Sequence, residues 1–221
     1  MSFNIAIDGP AGAGKSTIAK QLAKDLGFVY VDTGAMYRAI SLYLIRKEIA
    51  ADDVKSIESV LDDIDIVLEY DNGTQLVMLN GENVNDLIRT QEVSAMTSAS
   101  SKNACVREKL VELQRILASK QDVVMDGRDI GTCVLPNADL KIYLTASSKE
   151  RAMRRWKEYN EKGIECDVNK IEEEIIARDN QDMTREVSPL KQAEDAVYVD
   201  TSDMTIDEVI NHLYKLAKDR M

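Results

Sequence analysis

Asp8-Gly9-Pro10-Ala11-Gly12-Ala13-Gly14-Lys15-Ser16-Thr17 is the stretch that decides the fold. Gly9, Gly14, Lys15 and Ser16 satisfy the pattern G-x-x-x-x-G-K-[ST]. Its flanks give that pattern meaning. Before it, Phe3-Asn4-Ile5-Ala6-Ile7 is a short apolar strand, and after it Ile18, Ala19, Leu22, Ala23 and Leu26 fall on one helical face. Strand, glycine loop and helix together aim backbone N–H groups and a helix N-terminus at a polyphosphate. The prediction is a triphosphate site built by Gly9, Pro10, Ala11, Gly12, Ala13, Gly14, Lys15, Ser16 and Thr17. Lys15 would reach the β- and γ-phosphates, and the Ser16 hydroxyl would ligate Mg²⁺. The bland alternative is a glycine-rich turn that binds nothing.

Outward from the loop, Gly27 is placed to cap the first helix. Phe28-Val29-Tyr30-Val31 then reads as a second buried strand, ending in Asp32-Thr33-Gly34 before a helix over about 35–47. Arg38 lies one turn after Gly34 and points back at the strand end. This is the βαβ pattern of a parallel sheet. Between about 50 and 120 the rhythm breaks. Ile57, Val60, Leu61 and Ile64 make a short helix starting near Asp52 or Asp53. Ile66-Val67-Leu68-Glu69-Tyr70 and Gln75-Leu76-Val77-Met78-Leu79 flank Asp71-Asn72-Gly73-Thr74 as a β-hairpin, and about 84–119 is largely helical. That block reads as an inserted subdomain. Strands resume at Asp122-Val123-Val124-Met125, Leu140-Lys141-Ile142-Tyr143-Leu144 and Ala196-Val197-Tyr198-Val199. The total is five apolar strands, as expected for an α/β fold with a parallel sheet covered on both faces. Ser147 with Glu150, and Thr205 with Glu208, are spaced as capping boxes.

At 221 residues the chain is one domain with insertions, long enough to bury a core. No apolar run reaches membrane-span length and the first residues run straight into a strand, so the expected compartment is the cytoplasm. Cys105, Cys133 and Cys166 are odd in number and lack a C-x-x-C, which fits reduced thiols and not a zinc site. The single histidine, His212, lies far from any motif, excluding a His-dependent triad. A net charge of −11 argues against nucleic acid as partner. It permits an anionic small substrate, because a local Arg cluster sets the field inside a cleft.

Val123-Val124-Met125-Asp126 has the form of an apolar strand ending in a carboxylate beside Mg²⁺, directly or through water. Asp8 also ends a strand, so the metal-side carboxylate is not uniquely identified. Arg151, Arg154 and Arg155 share one helix face, and Arg178, Asp182 and Arg185 share another. As solvated faces they would mean little. In an acidic chain carrying a phosphate loop they suit phosphoryl transfer, which needs fixed cations whose forks bind phosphate. With no histidine base, a phosphate acceptor fits better than an alcohol: its second pKa is near 6, so it attacks without one. Asp62-Asp63-Ile64-Asp65 and Glu172-Glu173-Glu174 read as solvated faces, and Trp156 and Met153 as packing.

Four blocks together resemble the bacterial cytidylate kinases: Ile7 to Ser16; Asp32-Thr33-Gly34-Ala35-Met36-Tyr37-Arg38; Asp126-Gly127-Arg128-Asp129-Ile130-Gly131-Thr132; and Ala177-Arg178-Asp179-Asn180-Gln181-Asp182 with Arg185. The resemblance implies a P-loop kinase with five parallel strands between helices. The core would cover about 1–35, 120–148 and 175–221, a nucleoside-monophosphate-binding insertion about 36–119, and a lid about 149–174. It implies transfer of the ATP γ-phosphoryl group to CMP or dCMP with Mg²⁺ by a monomeric enzyme. Lys15, Arg128, Arg151, Arg155 and Arg185 resemble the catalytic cations. Arg38, Arg128 and Arg185, with Thr33 nearby, resemble the clamp on the CMP phosphate. Arg178 and Asp182 resemble the sugar contacts, and Ser98, Arg107 and Asp129 the readers of cytosine. A carboxylate accepts from the exocyclic amine, where uracil presents a carbonyl. A kinase for another small acceptor, and a nucleotide-dependent switch, are the alternatives.

Overall fold

A computed structural model of the chain describes residues 2–71, 74–161 and 163–221. Two compact units form: the chain up to Tyr30 together with Gln121–Met221, and Val31–Lys120.

The first unit begins with strand β1 (Asn4–Asp8) and helix α1 (Lys15–Leu26), and β2 (Val29–Asp32) leaves it for the second. The second continues with α2 (Thr33–Arg46), α3 (Val54–Val60), β3 (Ile66–Asp71), β4 (Thr74–Leu79), β5 (Glu82–Asn83), α4 (Gln91–Ser100) and α5 (Ala104–Lys120). The first resumes with β6 (Val123–Gly127), β7 (Leu140–Thr145), α6 (Ser148–Glu161), α7 (Val168–Thr184), β8 (Val197–Asp200) and α8 (Ile206–Lys218).

Strand order in the main sheet is β2-β6-β1-β7-β8. The pairs β1–β6, β1–β7 and β7–β8 are parallel. Ile5, Ala6 and Ile7 are all fully buried, which is why β1 is apolar without alternation: both of its faces are covered. Ile18, Ala19, Leu22 and Ala23 of α1 pack in one cluster with Val209, Ile210, Leu213 and Ala217 of α8. The α1 residues belong to the apolar stripe read from the sequence. A second cluster joins Ala152 of α6 to Ile171 and Ile175 of α7, with Trp156 packed against it.

In the second unit β3 and β4 pair antiparallel from Ile66↔Leu79 to Asp71↔Thr74, which is the expected β-hairpin. The tip of that hairpin, Asn72 and Gly73, lies outside the described residues. Hydroxyls fill part of the helical packing: Thr97 Oγ1 donates to Ser41 Oγ at 2.9 Å, and Ser41 Oγ lies 3.2 Å from Ser100 Oγ.

Caps fix the element ends. Gly27 closes α1 with φ 74°, Asp32 opens α2 by accepting from Ala35 N, and Asp53 opens α3 through Ser56 N. Thr205 and Glu208 form the full reciprocal box at α8. At α6 only half of the expected box forms. Glu150 N donates to Ser147 Oγ, but Ser147 N donates to Ser202 Oγ and the Glu150 carboxylate takes Arg154 Nε instead. A cation one turn ahead competes better for that carboxylate than a backbone N–H does. Among the described residues no helix is long and apolar enough to cross a membrane.

Candidate active site

The glycine loop turns between the end of β1 and the start of α1. Its first glycine is obligatory. Gly9 adopts φ +151°, and a Cβ there would sit 1.9 Å from the Leu144 carbonyl oxygen of β7. Gly14, left-handed at φ 82°, swings the chain into α1 with no side chain occupying the helix N-terminus. Lys15 is buried, and its Nζ donates back to Pro10 O at 2.7 Å. Burial pushes its ammonium well below the ordinary lysine range, and the like charge of Arg128 adds to this against Asp126, Asp8 and Asp182. An anionic phosphate at the loop would supply the partner such a lysine lacks.

The two strand-end carboxylates that sequence left equivalent are separated by their partners. Asp8 accepts from Ile130 N and Gly131 N, both at 2.7 Å. Burial pushes its carboxyl up to about 6 even so. Asp126 accepts from Ser16 Oγ at 2.9 Å and from Tyr30 Oη at 2.9 Å. Ser16 and Asp126 therefore offer a neutral and an anionic oxygen side by side at the loop, a donor set suited to a hard divalent cation. Asp8 instead ties the end of β1 to the turn that follows Asp129.

That turn is a short π-helical segment, Ile130–Val134, directly after the Asp126-Gly127-Arg128-Asp129 block. Arg128 Nε donates to Asp182 Oδ2 of α7 at 2.9 Å. Arg185 lies 3.9 Å from Asp182 Oδ1 and 3.5 Å from Asp129 Oδ1, and its Nε donates to Ser188 O at 2.6 Å. Arg128, Asp129, Asp182 and Arg185 thus form one cluster from two distant sequence blocks. Arg178 stands on α7 one turn before Asp182.

The arginines of α6 diverge, although their spacing places them on one face. Arg151 is buried, donating to Ala11 O at 2.8 Å and pairing with Asp179 at 2.7 Å. Arg154 donates to Glu150 and to Thr201 O. Arg155 donates to Tyr159 Oη at 3.0 Å, with its guanidinium 5.4 Å from that ring's centroid.

Within the second unit, Thr33 opens α2 and is buried. Arg38 does turn back to Gly34, as expected: a Cβ on that glycine would lie 3.1 Å from Arg38 Nη1. Arg107 of α5 is buried, its guanidinium 5.5 Å from the centroid of the Tyr37 ring. Ser98 lies on α4.

Sequence reasoning missed Tyr30, Tyr37 and Asp179. For Asp179 a signal existed. It continues the buried α7 stripe of Ile171 and Ile175 at four-residue spacing, and a carboxylate on an apolar stripe requires a cation. Tyr30 read as part of an apolar strand and Tyr37 only as part of a matched block, and the partner of each lies on another element. Among the described residues no group of three or more His, Cys, Asp or Glu is placed to hold a metal. Two protein oxygens beside a phosphate-binding loop are what a nucleotide-bound Mg²⁺ needs, since substrate oxygens and water supply the rest.

The cytidylate kinase family profile matches residues 5–219. A cytidylate kinase of Caldicellulosiruptor saccharolyticus is 54% identical over 214 residues, spanning 97% of this chain and 95% of that protein. One of Listeria innocua is 50% identical over 218 residues, spanning 98% and 96%. The crystal structure of an uncharacterised protein from Eubacterium ventriosum is similar at a TM-score of 0.51 and 14% identity, with 100% of both chains covered. That likeness concerns the fold alone. With nearly its whole length matched and about half its residues shared with members, the chain belongs to the cytidylate kinase family.

Proposed function

We propose that the protein transfers the γ-phosphoryl group of ATP to CMP or dCMP, giving CDP or dCDP and ADP. One observation supports this above the rest. The end of β6 carries Asp126 against the loop residue Ser16 and, two residues on, Arg128 in the cluster with Asp129, Asp182 and Arg185. The groups assigned to donor and acceptor thus lie two residues apart at the end of one strand.

Gly9, Pro10, Ala11, Gly12, Ala13, Gly14, Lys15, Ser16 and Thr17 cradle the ATP phosphates, with loop N–H groups and the α1 N-terminus directed at them. Ser16 and Asp126 would hold Mg²⁺, which neutralises charge on the phosphates when bound. Arg38, Arg128 and Arg185 bind the acceptor phosphate, and Thr33 adds a hydroxyl. Lys15, Arg128, Arg155 and Arg185 stabilise charge on the phosphoryl group in flight. Arg151, expected among them, acts through the loop it supports. Arg178 and Asp182 hold the sugar, and Ser98, Arg107 and Asp129 read cytosine. Asp129 retains acceptor capacity beyond the oxygen facing Arg185, because an ionised carboxylate offers about four lone-pair sites. No general base is required, as the acceptor phosphate is largely dianionic at neutral pH. His212, the single histidine, is exposed on α8 and takes no part. The segment about 149–174 serves as the lid, about 36–119 is the nucleoside-monophosphate-binding insertion, and the enzyme works as a cytoplasmic monomer.

A coupled assay with CMP, dCMP, UMP and AMP tests this directly. CMP and dCMP should lead UMP and AMP by at least tenfold in kcat/KM. Equal rates with all four would overturn the base-reading roles.

A further inference from the structure

Ala11 is held at both of its backbone polar atoms. Its N–H donates to Asp179 Oδ1 at 3.3 Å and its carbonyl accepts from Arg151 Nη1 at 2.8 Å. The two side chains are themselves paired, Arg151 Nη1 lying 2.7 Å from Asp179 Oδ2. Carboxylate, guanidinium and the backbone of Ala11 close a ring. Arg151 is anchored further by its Nε, which donates to Ala146 O just past β7 at 2.9 Å. Both charged side chains are about nine-tenths buried, at 7% and 10% exposure. The loop rests closely on this pair, since a Cβ built at Gly12 would come within 3.4 Å of Arg151 Cβ.

A buried ion pair is weak support for stability, because an apolar pair of the same volume serves as well. What an apolar pair cannot do is hold one residue by its N–H and C=O together. A loop rich in glycine samples many backbone states, and its phosphate-binding N–H groups work only when their directions are fixed in advance. Fixing the two peptide groups that flank Ala11 from two helices restricts the loop without placing a side chain where phosphate must sit.

We propose that Asp179 is a positioning residue for the phosphoryl donor: with Arg151 it clamps the backbone of Ala11 on both sides of its Cα and sets the geometry of the phosphate loop. α7 then carries two functions one turn apart. Asp182 and Arg178 face the acceptor roles given above, while Asp179 serves the donor. The inference rests on the reading of the loop as the ATP site.

Calorimetric titration of ATP into the protein without acceptor is the test, followed by steady-state assays. Asp179→Asn keeps the size and one acceptor but loses the charge that holds Arg151. Its Kd for ATP should rise about tenfold, with KM for ATP rising in parallel and KM for CMP staying within twofold. Arg151→Lys keeps the charge but loses the fork, and should weaken ATP by a smaller factor with the same selectivity. It carries the test alone if Asp179→Asn does not fold. Unchanged ATP affinity in the folded variants would overturn the inference, as would equal rises in both KM values, which mark general distortion. Absence of ATP binding by the wild-type protein would instead overturn the reading of the loop itself.

Discussion

The arginines of α6 and those gathered at Asp182 form different kinds of structure. Arg151, Arg154 and Arg155 are neighbours on one helix, yet each takes its own partner: Asp179, Thr201 and Tyr159 respectively. Arg128 and Arg185 come from separate blocks, yet both reach Asp182. Helical spacing says which residues share a face and nothing about what that face meets. Convergence of cations on one carboxylate arises from topology, because β6 ends where α7 passes. Clustered cations next to a phosphate loop are costly to hold together, and that cost is offset when an anionic substrate arrives.

This contrast predicts that loss of Arg128 costs chemistry, whereas loss of Arg154 costs only stability. Arg128→Ala should lower kcat/KM for CMP by about three orders of magnitude, the scale of losing a transition-state charge partner. Its urea midpoint should change little. Near-normal turnover would break the distinction between the two groups of arginines.

Asp8 sharpens the comparison from the backbone side, since it holds the turn that carries Arg128 and Asp129. Its carboxyl titrates at about 6 in the folded protein, above the ordinary aspartate value. Between those values the native state binds more protons than the unfolded chain, so stability falls as pH rises through that window. The contribution lost is about 3 kcal/mol at most, from roughly two pKa units. Asp8→Asn should flatten that part of the stability–pH curve. An unchanged slope would show that another group is responsible.

Asp129→Asn should then raise UMP turnover relative to CMP by about tenfold or more, because an amide can present either a donor or an acceptor to the base. An unchanged CMP-to-UMP ratio would remove Asp129 from base selection. The smallest effect belongs to α6. Arg154→Ala should cost about 1 kcal/mol, from its carbonyl and Glu150 bonds, with kcat within twofold. A large loss of activity there would mean that this helix face acts as one unit after all.

Most of the architecture was legible because it rests on local rules. The buried strand β1, the amphipathic stripe of α1, the hairpin and the Thr205 cap all follow from local residue patterns. The loop and the Asp126 to Asp129 block were legible as motifs. What sequence could not separate were the roles of Asp8 and Asp126, two carboxylates ending adjacent strands. The answer depends on which N–H or O–H groups arrive from other elements. Arg151 shows the same limit. Its face was predicted correctly, but its partner Asp179 comes from another helix. The half-formed box at Ser147 failed for a local reason, a competing arginine four residues after Glu150.

The central claim is that the acceptor is itself a phosphate. Phosphorus NMR of ATP with CMP, and separately with cytidine, tests it most directly. The account predicts that CMP is converted to CDP, with the two phosphorus signals of a new diphosphate, while cytidine remains unphosphorylated. Comparable phosphorylation of cytidine, or release of inorganic phosphate alone in the presence of CMP, would contradict it.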